Sequence, residues 1–140
     1  MRDYHKSNGK PRAAAKVDLM KAYDTVSCEF LFNLLNALNF PPSMIVWIKA
    51  CVTSPKYCIN FNGESVGYIK GARGLRQGDP MSPYLFVIIM DFLGQLFKAE
   101  IASTAGYKHH WRCEKLAISH LCFADDLLIF LDGSTVSAAV

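Results

Sequence analysis

A chain of 140 residues, 51% of them hydrophobic and 19% charged, carries enough apolar material for a globular core and is neither a disordered nor a low-complexity tract. Its formal net charge of +3, spread over scattered Lys and Arg residues, does not mark a dedicated basic nucleic-acid-binding face. Five cysteines, at positions 28, 51, 58, 113 and 122, form no C-x-x-C pair, so spacing favours neither a disulfide framework nor a four-ligand zinc ribbon, and reduced thiols in an intracellular protein of nucleus or cytoplasm are expected.

In chain order, the polar opening contains no apolar leader after Met1 and holds the breaker Asn8-Gly9-Lys10-Pro11. It leads into Ala13 to Leu19, which reads as a strand ending in an acid, Asp18, that faces a cleft. Phe30, Leu31, Leu34, Leu35 and Leu38 then recur at helical spacing, with Ser27 placed to cap the first turn. Pro41-Pro42 ends the connection, Ser43 is a second candidate cap, and Met44 to Val52 predicts a short helix with Ile45, Ile48 and Val52 on one side and Trp47 nearby.

From Tyr57 to Phe61 the period changes to that of a strand, and Asn62-Gly63 tolerates positive φ at both turn positions, so Val66 to Ile69 is expected to pair back as a hairpin. Gly71, Gly74 and Gly78 punctuate a loop before Ser82-Pro83 opens a long helix, whose buried face is predicted to hold Leu85, Ile88, Ile89, Phe92, Leu93, Leu96 and Phe97. The apolar run Tyr84 to Met90, broken by Asp91, is too short to span a bilayer, and no membrane association is expected. His109, His110 and Cys113 lack a second ligand pair at zinc-finger spacing and read as a polar loop. Ala117 to Phe123 and Leu127 to Leu131 are strand-like runs flanking Ala124-Asp125-Asp126 at a tight turn. With no repeat and no nucleotide-binding glycine loop, the pattern predicts an α+β unit with helices packed on an antiparallel sheet.

Acids are set against apolar surroundings in two places, at Asp18 and at Asp125-Asp126. A carboxylate there is costly unless it sits at a strand end facing water or shares a cation. If the strand carrying Asp18 lies beside the hairpin carrying Asp125, oxygen-only ligands converge and select a hard ion such as Mg²⁺. Two such ions about 4 Å apart serve nucleotidyl transfer. Spacing alone leaves a second reading open, in which Asp125-Asp126 is a solvated turn and Asp18 merely starts a helix.

Three segments carry a resemblance: Lys16-Val-Asp-Leu-Met-Lys-Ala-Tyr-Asp24, Gly74-Leu-Arg-Gln-Gly-Asp-Pro-Met-Ser-Pro-Tyr-Leu-Phe86 and Phe123-Ala-Asp-Asp126. In order and spacing they resemble the palm motifs of reverse transcriptases, most of all those of non-LTR (LINE-type) retrotransposons of plant kind. The resemblance covers about residues 13–131 of a partial reverse transcriptase domain. It implies a partial right-hand polymerase fold, with most of the fingers and all of the thumb outside residues 1–140.

It further implies an RNA-directed DNA polymerase fragment that transfers dNTPs to a primer 3′-hydroxyl with two Mg²⁺ ions, for which Mn²⁺ substitutes. Its partners would be an RNA template, a DNA primer and dNTP. By that likeness Asp18 and Asp125 bind the metals, the backbone carbonyl of Leu19 joins them, and Asp126 completes both the catalytic acids and the metal set. Tyr23 stands where the family places a ring beneath the incoming sugar, which would select deoxynucleotides; on spacing, a core tyrosine on a helix face competes with that role. Gln77 would lie near the incoming base pair, Gly78 would let backbone approach, and Arg76 would touch template or phosphate unless it forms a surface salt bridge. Pro80, Ser82 and Pro83 position the following helix. Asp24 reads as a structural acid near a helix start, and Cys28 stands where relatives often carry tryptophan. Without fingers and thumb to align the reactants, the isolated chain is expected to be weak or inactive. A non-catalytic nucleic-acid-binding relict of a retrotransposon is the alternative.

Overall fold

The computed structural model describes residues 12–139, so the breaker at 8–11 lies outside the described residues. The backbone divides into two units, one formed by residues 12–20 with 90–139 and the other by Lys21–Ile89.

The first unit is built on a three-stranded antiparallel sheet of β1 (Ala13–Asp18), β4 (His120–Phe123) and β5 (Asp126–Leu131), in the order β1-β5-β4. Side chains alternate across a strand. The register Asp18↔Asp126, Lys16↔Leu128, Val17↔Leu127 and Phe123↔Asp126 therefore puts Lys16, Asp18, Asp126, Leu128 and Phe123 on one face, and Val17, Leu127, Cys122 and His120 on the other. The second face is packed at Leu127, which is buried and whose transfer out of water contributes roughly 2 kcal/mol, while Val17 and Cys122 on the same face are exposed.

Helix α4 (Ser82–Ser103) begins in the second unit and ends in the first, where it meets that packed face. A Cβ on Gly94 would stand 3.0 Å from His120 Nε2, so the glycine is what lets the imidazole close on the helix, beside Phe97 at a ring separation of 5.5 Å. His120 Nδ1 pairs with the Ser119 hydroxyl at 2.9 Å, and burial, with a smaller contribution from Lys98, holds the imidazole below its usual range. Strand β4 starts at His120 rather than at the expected Ala117, because the chain from Glu114 to Leu116 winds into a 3₁₀ turn that ends with Ala117 at φ 49. The stretch before it is more than a polar loop, since His110 is buried against Phe130 and Trp111 and its Nδ1 accepts the Arg112 N–H. Helix α5 (Thr135–Ala138) closes the unit, with Ser134 capping it and the buried Ser137 hydroxyl accepting the Lys108 N–H at 3.1 Å.

The second unit holds α1 (Ala22–Thr25), α2 (Cys28–Ala37), α3 (Pro42–Thr53) and a hairpin of β2 (Lys56–Phe61) and β3 (Glu64–Lys70). Ser27 caps α2 as its position predicts, its Oγ accepting the Phe30 N–H at 3.2 Å. Ser43 does not cap α3: the helix starts at Pro42, one residue earlier, and Pro41 is the cap residue with no side-chain bond. Leu31, Leu34, Leu35, Ile45 and Ile48 are buried, whereas Phe30, Leu38 and Trp47 are exposed. The turn Asn62-Gly63 takes φ 50 and 85, as a two-residue hairpin requires. On α4 the buried apolar side chains are Leu85, Phe86 and Met90, while Leu96, expected on the buried face, is exposed. The helical period fixes which residues share a stripe and not how wide a stripe is covered. Among the described residues no helix is long and apolar enough to cross a membrane.

Candidate active site

Register is what gathers the carboxylates. Asp18 ends β1 and Asp126 begins β5, paired directly across the ladder, so the two side chains leave the same face. Since Phe123 pairs with Asp126, Ala124 and Asp125 make up a two-residue turn. Ala124 takes φ 51, a left-handed conformation that costs a residue with a Cβ on the order of 1 kcal/mol or more. The Asp125 carbonyl accepts the Leu19 N–H at 3.2 Å, which continues the β1–β5 pairing past the last ladder position and fastens the turn beside the end of β1. Three acids from opposite ends of the sequence thus meet at one end of one sheet.

Among the described residues, one cation, Lys16, is paired with them. Lys16, two residues before Asp18 and so on the same face, places Nζ 3.0 Å from Asp126 Oδ1. Its ammonium is held above the usual range, first by the hydrogen bond to Asp126 and that residue's charge, then by Asp18 and Asp125. Asp18 and Asp125 are exposed, and their carboxylates make no hydrogen bond or ion pair among the described residues.

In the second unit the glycine loop folds back on α1. Gly74 N–H donates to the Val26 carbonyl at 2.9 Å and Leu75 N–H to the Tyr23 carbonyl at 2.7 Å. Gly74 sits at φ 93, and a Cβ there would lie 2.8 Å from the Asp24 carbonyl oxygen, so only glycine fits. The Tyr23 ring, half-buried, stacks on Phe86 at 4.5 Å. The competing reading of this residue as a packed helix-face tyrosine therefore has a structural basis, and Asp24 lies in the first turn of α1 as a helix-start acid.

Arg76 forms the salt bridge that its alternative reading anticipates, with Nη2 2.9 Å from Asp79 Oδ2. Asp79 in turn accepts the Met81 N–H at 2.9 Å; that bond first, and the guanidinium second, hold its carboxyl below the usual range. Gln77 and Gly78 are exposed, and Gly78, at φ 85, has nothing within 4 Å of where a Cβ would stand. A cavity of about 70 Å³ beside this loop is lined by Arg73, Arg76, Asp79, Tyr57, Cys28 and Cys51, among others; spacing gave no sign of it.

The family model described as reverse transcriptase (RNA-dependent DNA polymerase) matches residues 2–139. The chain belongs to the reverse transcriptase family. Its similarities place it on the non-LTR, LINE-type branch. It is 30% identical over 118 residues to the Pol polyprotein of the type-2 retrotransposable element R2DM from Drosophila melanogaster, a match covering 84% of this chain and 10% of that protein. It is 32% identical over 124 residues to the Pol polyprotein of a type-1 retrotransposable element R2 from Popillia japonica, covering 89% and 20%. An uncharacterized mitochondrial protein of Arabidopsis thaliana is 42% identical over 67 residues, covering 46% of this chain and 53% of that protein. The chain thus spans a tenth to a fifth of the length of the retrotransposon polyproteins it matches.

Reverse transcriptases use divalent metals, and the acidic end of the sheet suits a hard divalent ion by the chemistry of its donors, which are carboxylate and carbonyl oxygens with no imidazole or thiolate. Among the described residues no three His, Cys, Asp or Glu side chains form a ready-made cage. Mg²⁺ is commonly held by one or two carboxylates together with water and substrate phosphate, and two uncommitted carboxylates, Asp18 and Asp125, answer to that pattern. What sequence reasoning missed in this member of the family is Lys16. Its place two residues before Asp18 in a strand was the available signal, for it predicts a shared face, but only the register shows that Asp126 is the acid it reaches.

Proposed function

We propose that this chain supplies the carboxylates for RNA-directed DNA synthesis, the two-metal transfer of dNTPs to a primer 3′-hydroxyl on an RNA template. The observation that carries the reading is the direct pairing of Asp18 with Asp126, with Asp125 fastened beside them through its bond to Leu19. Asp18 and Asp125, with the Leu19 carbonyl, would hold two Mg²⁺ or Mn²⁺ ions, and Asp126 completes the acidic set. When bound, such ions polarise an attacking hydroxyl and offset charge on a leaving oxygen. The chain's own contribution is to fix its oxygens on a rigid ladder end, so that no reorganisation is needed when charge develops.

In the second unit, Tyr23 is proposed to bear on the sugar and to disfavour a ribose 2′-hydroxyl, with Phe86 holding the ring by stacking. Gln77 would face the base pair, and the open space over Gly78 leaves room for a ligand to approach backbone. Arg76 would reach template or phosphate only by releasing Asp79. Large exposed apolar side chains, Phe123 at 84% and Tyr68 at 82% among them, support a site that works best within a larger polymerase, so the 140-residue chain by itself is proposed to be weak or inactive.

Primer extension on an RNA template tests this, using the chain alone and the chain within a longer polypeptide that adds the flanking regions of a relative. Extension by the longer protein, abolished by Asp125→Asn and by Asp18→Asn, is the expected result. Extension that survives both substitutions would overturn the assignment. A nucleic-acid-binding role without catalysis would show instead as salt-dependent affinity for an RNA–DNA hybrid that both asparagine variants keep, with no synthesis by either protein.

A further inference from the structure

The acidic end of the sheet contains a basic residue that the proposed chemistry does not use. Asp18 and Asp126 face each other across an antiparallel ladder, an arrangement that is unfavourable for two like charges. Asp125 adds a third negative charge in the adjoining turn. Lys16 lies diagonal to Asp126, and its ammonium takes one of that residue's two oxygens at 3.0 Å, leaving the carboxylates of Asp18 and Asp125 without partners among the described residues. The two side chains are 64% and 45% exposed, so the pair adds little to stability, and its consequence lies in where charge is placed.

We infer that Lys16 is a positioning residue that binds Asp126 as a neutral pair, so that Asp18 and Asp125 are the carboxylates that receive divalent ions. The inference rests on the proposed metal-dependent reading of this site. Asp126 then acts on the site through charge and through the ladder, and not as a ligand. The pair also limits the net charge at the acidic end to that of two carboxylates. Lysine suits this task, since a flexible point charge can follow Asp126 without demanding a fixed bidentate geometry.

Mn²⁺ titration of the full 140-residue chain, with free Mn²⁺ counted by electron paramagnetic resonance, reads the idea without any need for catalysis. A unit charge about 5 Å from a divalent ion changes its binding by roughly tenfold in a water-like dielectric, and less in salt. Lys16→Met is expected to tighten Mn²⁺ binding by roughly 3- to 10-fold, a direction that loss of folding does not produce, and Lys16→Arg to stay near wild type. Asp126→Asn alone should weaken binding because the ammonium is left uncompensated. The double variant Lys16→Met/Asp126→Asn should return close to wild type, since a neutral pair has been removed as a unit.

If the double variant instead falls as far as Asp18→Asn, Asp126 is a ligand and the inference is wrong. Unchanged or weaker binding by Lys16→Met overturns it as well. If wild type and Asp18→Asn bind Mn²⁺ alike, the metal-site reading itself fails, and the role of Lys16 fails with it.

Discussion

Replacing Gly74 by alanine probes how the glycine loop is anchored on α1. Two separate penalties follow from the structure. The residue sits at φ 93, where an alanine pays on the order of 1–3 kcal/mol of backbone strain. Its new Cβ would also stand 2.8 Å from the Asp24 carbonyl oxygen and 2.9 Å from the Asp24 Cα, both backbone atoms that cannot swing aside. Overlap of that kind adds about 1–3 kcal/mol. Gly78→Ala is the internal control, for it meets a comparable φ of 85 with nothing within 4 Å, and so carries the first penalty alone.

In urea, with a slope of about 2 kcal/mol/M, Gly74→Ala should lower the unfolding midpoint by roughly 1–3 M, and Gly78→Ala by about half as much or less. Amide exchange adds a local readout. The Leu75 N–H, bonded at 2.7 Å to the Tyr23 carbonyl, should lose protection in Gly74→Ala and keep it in Gly78→Ala. Equal midpoint shifts for the two variants, with Leu75 still protected in both, would refute the argument that close packing against Asp24 holds this loop.

Further outcomes follow from the same structure. Leu127→Ala removes a buried side chain from the packed face of the sheet and should cost about 2–4 kcal/mol by denaturant unfolding, whereas Leu96→Ala on the exposed side of α4 should stay within about 0.5 kcal/mol. Ser27→Ala deletes the cap of α2 and should cost about 1 kcal/mol by the same measurement, while Ser43→Ala, which removes no cap bond, should change little. His110 and His120 both titrate below their ordinary value of 6.5 because burial disfavours the imidazolium. A group with a lowered folded pKa contributes stability that is fully present above its unfolded value and is lost as pH falls through the folded one. Thermal stability should therefore drop as pH is lowered from about 7 through the region below 6.5, and His120→Gln should flatten part of that slope in a pH series of melting curves. Tyr23→Ala, made in a longer polypeptide that extends primers, should raise incorporation of ribonucleotides relative to deoxynucleotides; an unchanged ratio would leave the ring with only its packing role on Phe86.

Much of the local structure was written into neighbouring residues. Asn62-Gly63 specifies a turn because both positions accept positive φ, Ser27 specifies a helix start because its hydroxyl reaches the Phe30 N–H, and the short continuous apolar run Leu127 to Leu131, bounded by turn residues, suits a strand. These signals act over a few residues, which is the range of a turn or a cap. The same signals misjudged Ser43, Ala117 and Leu96, where prolines, a 3₁₀ turn and the extent of packing decided the outcome. The motifs at Asp18 and Asp125-Asp126 resemble those of the family in sequence, yet no periodicity says that they meet.

That meeting is a matter of register. A strand's own sequence sets which residues share a face, but its partner and its alignment are set by long-range pairing, and a slip of one residue would send Asp126 to the opposite face from Asp18. The sequence by itself determined the elements and the chemistry of the acids. Tertiary structure alone decided that Asp18 stands opposite Asp126, that Lys16 claims one of the Asp126 oxygens, and that Gly74 presses on Asp24, because each is a contact between residues whose separation along the chain carries no local preference for it.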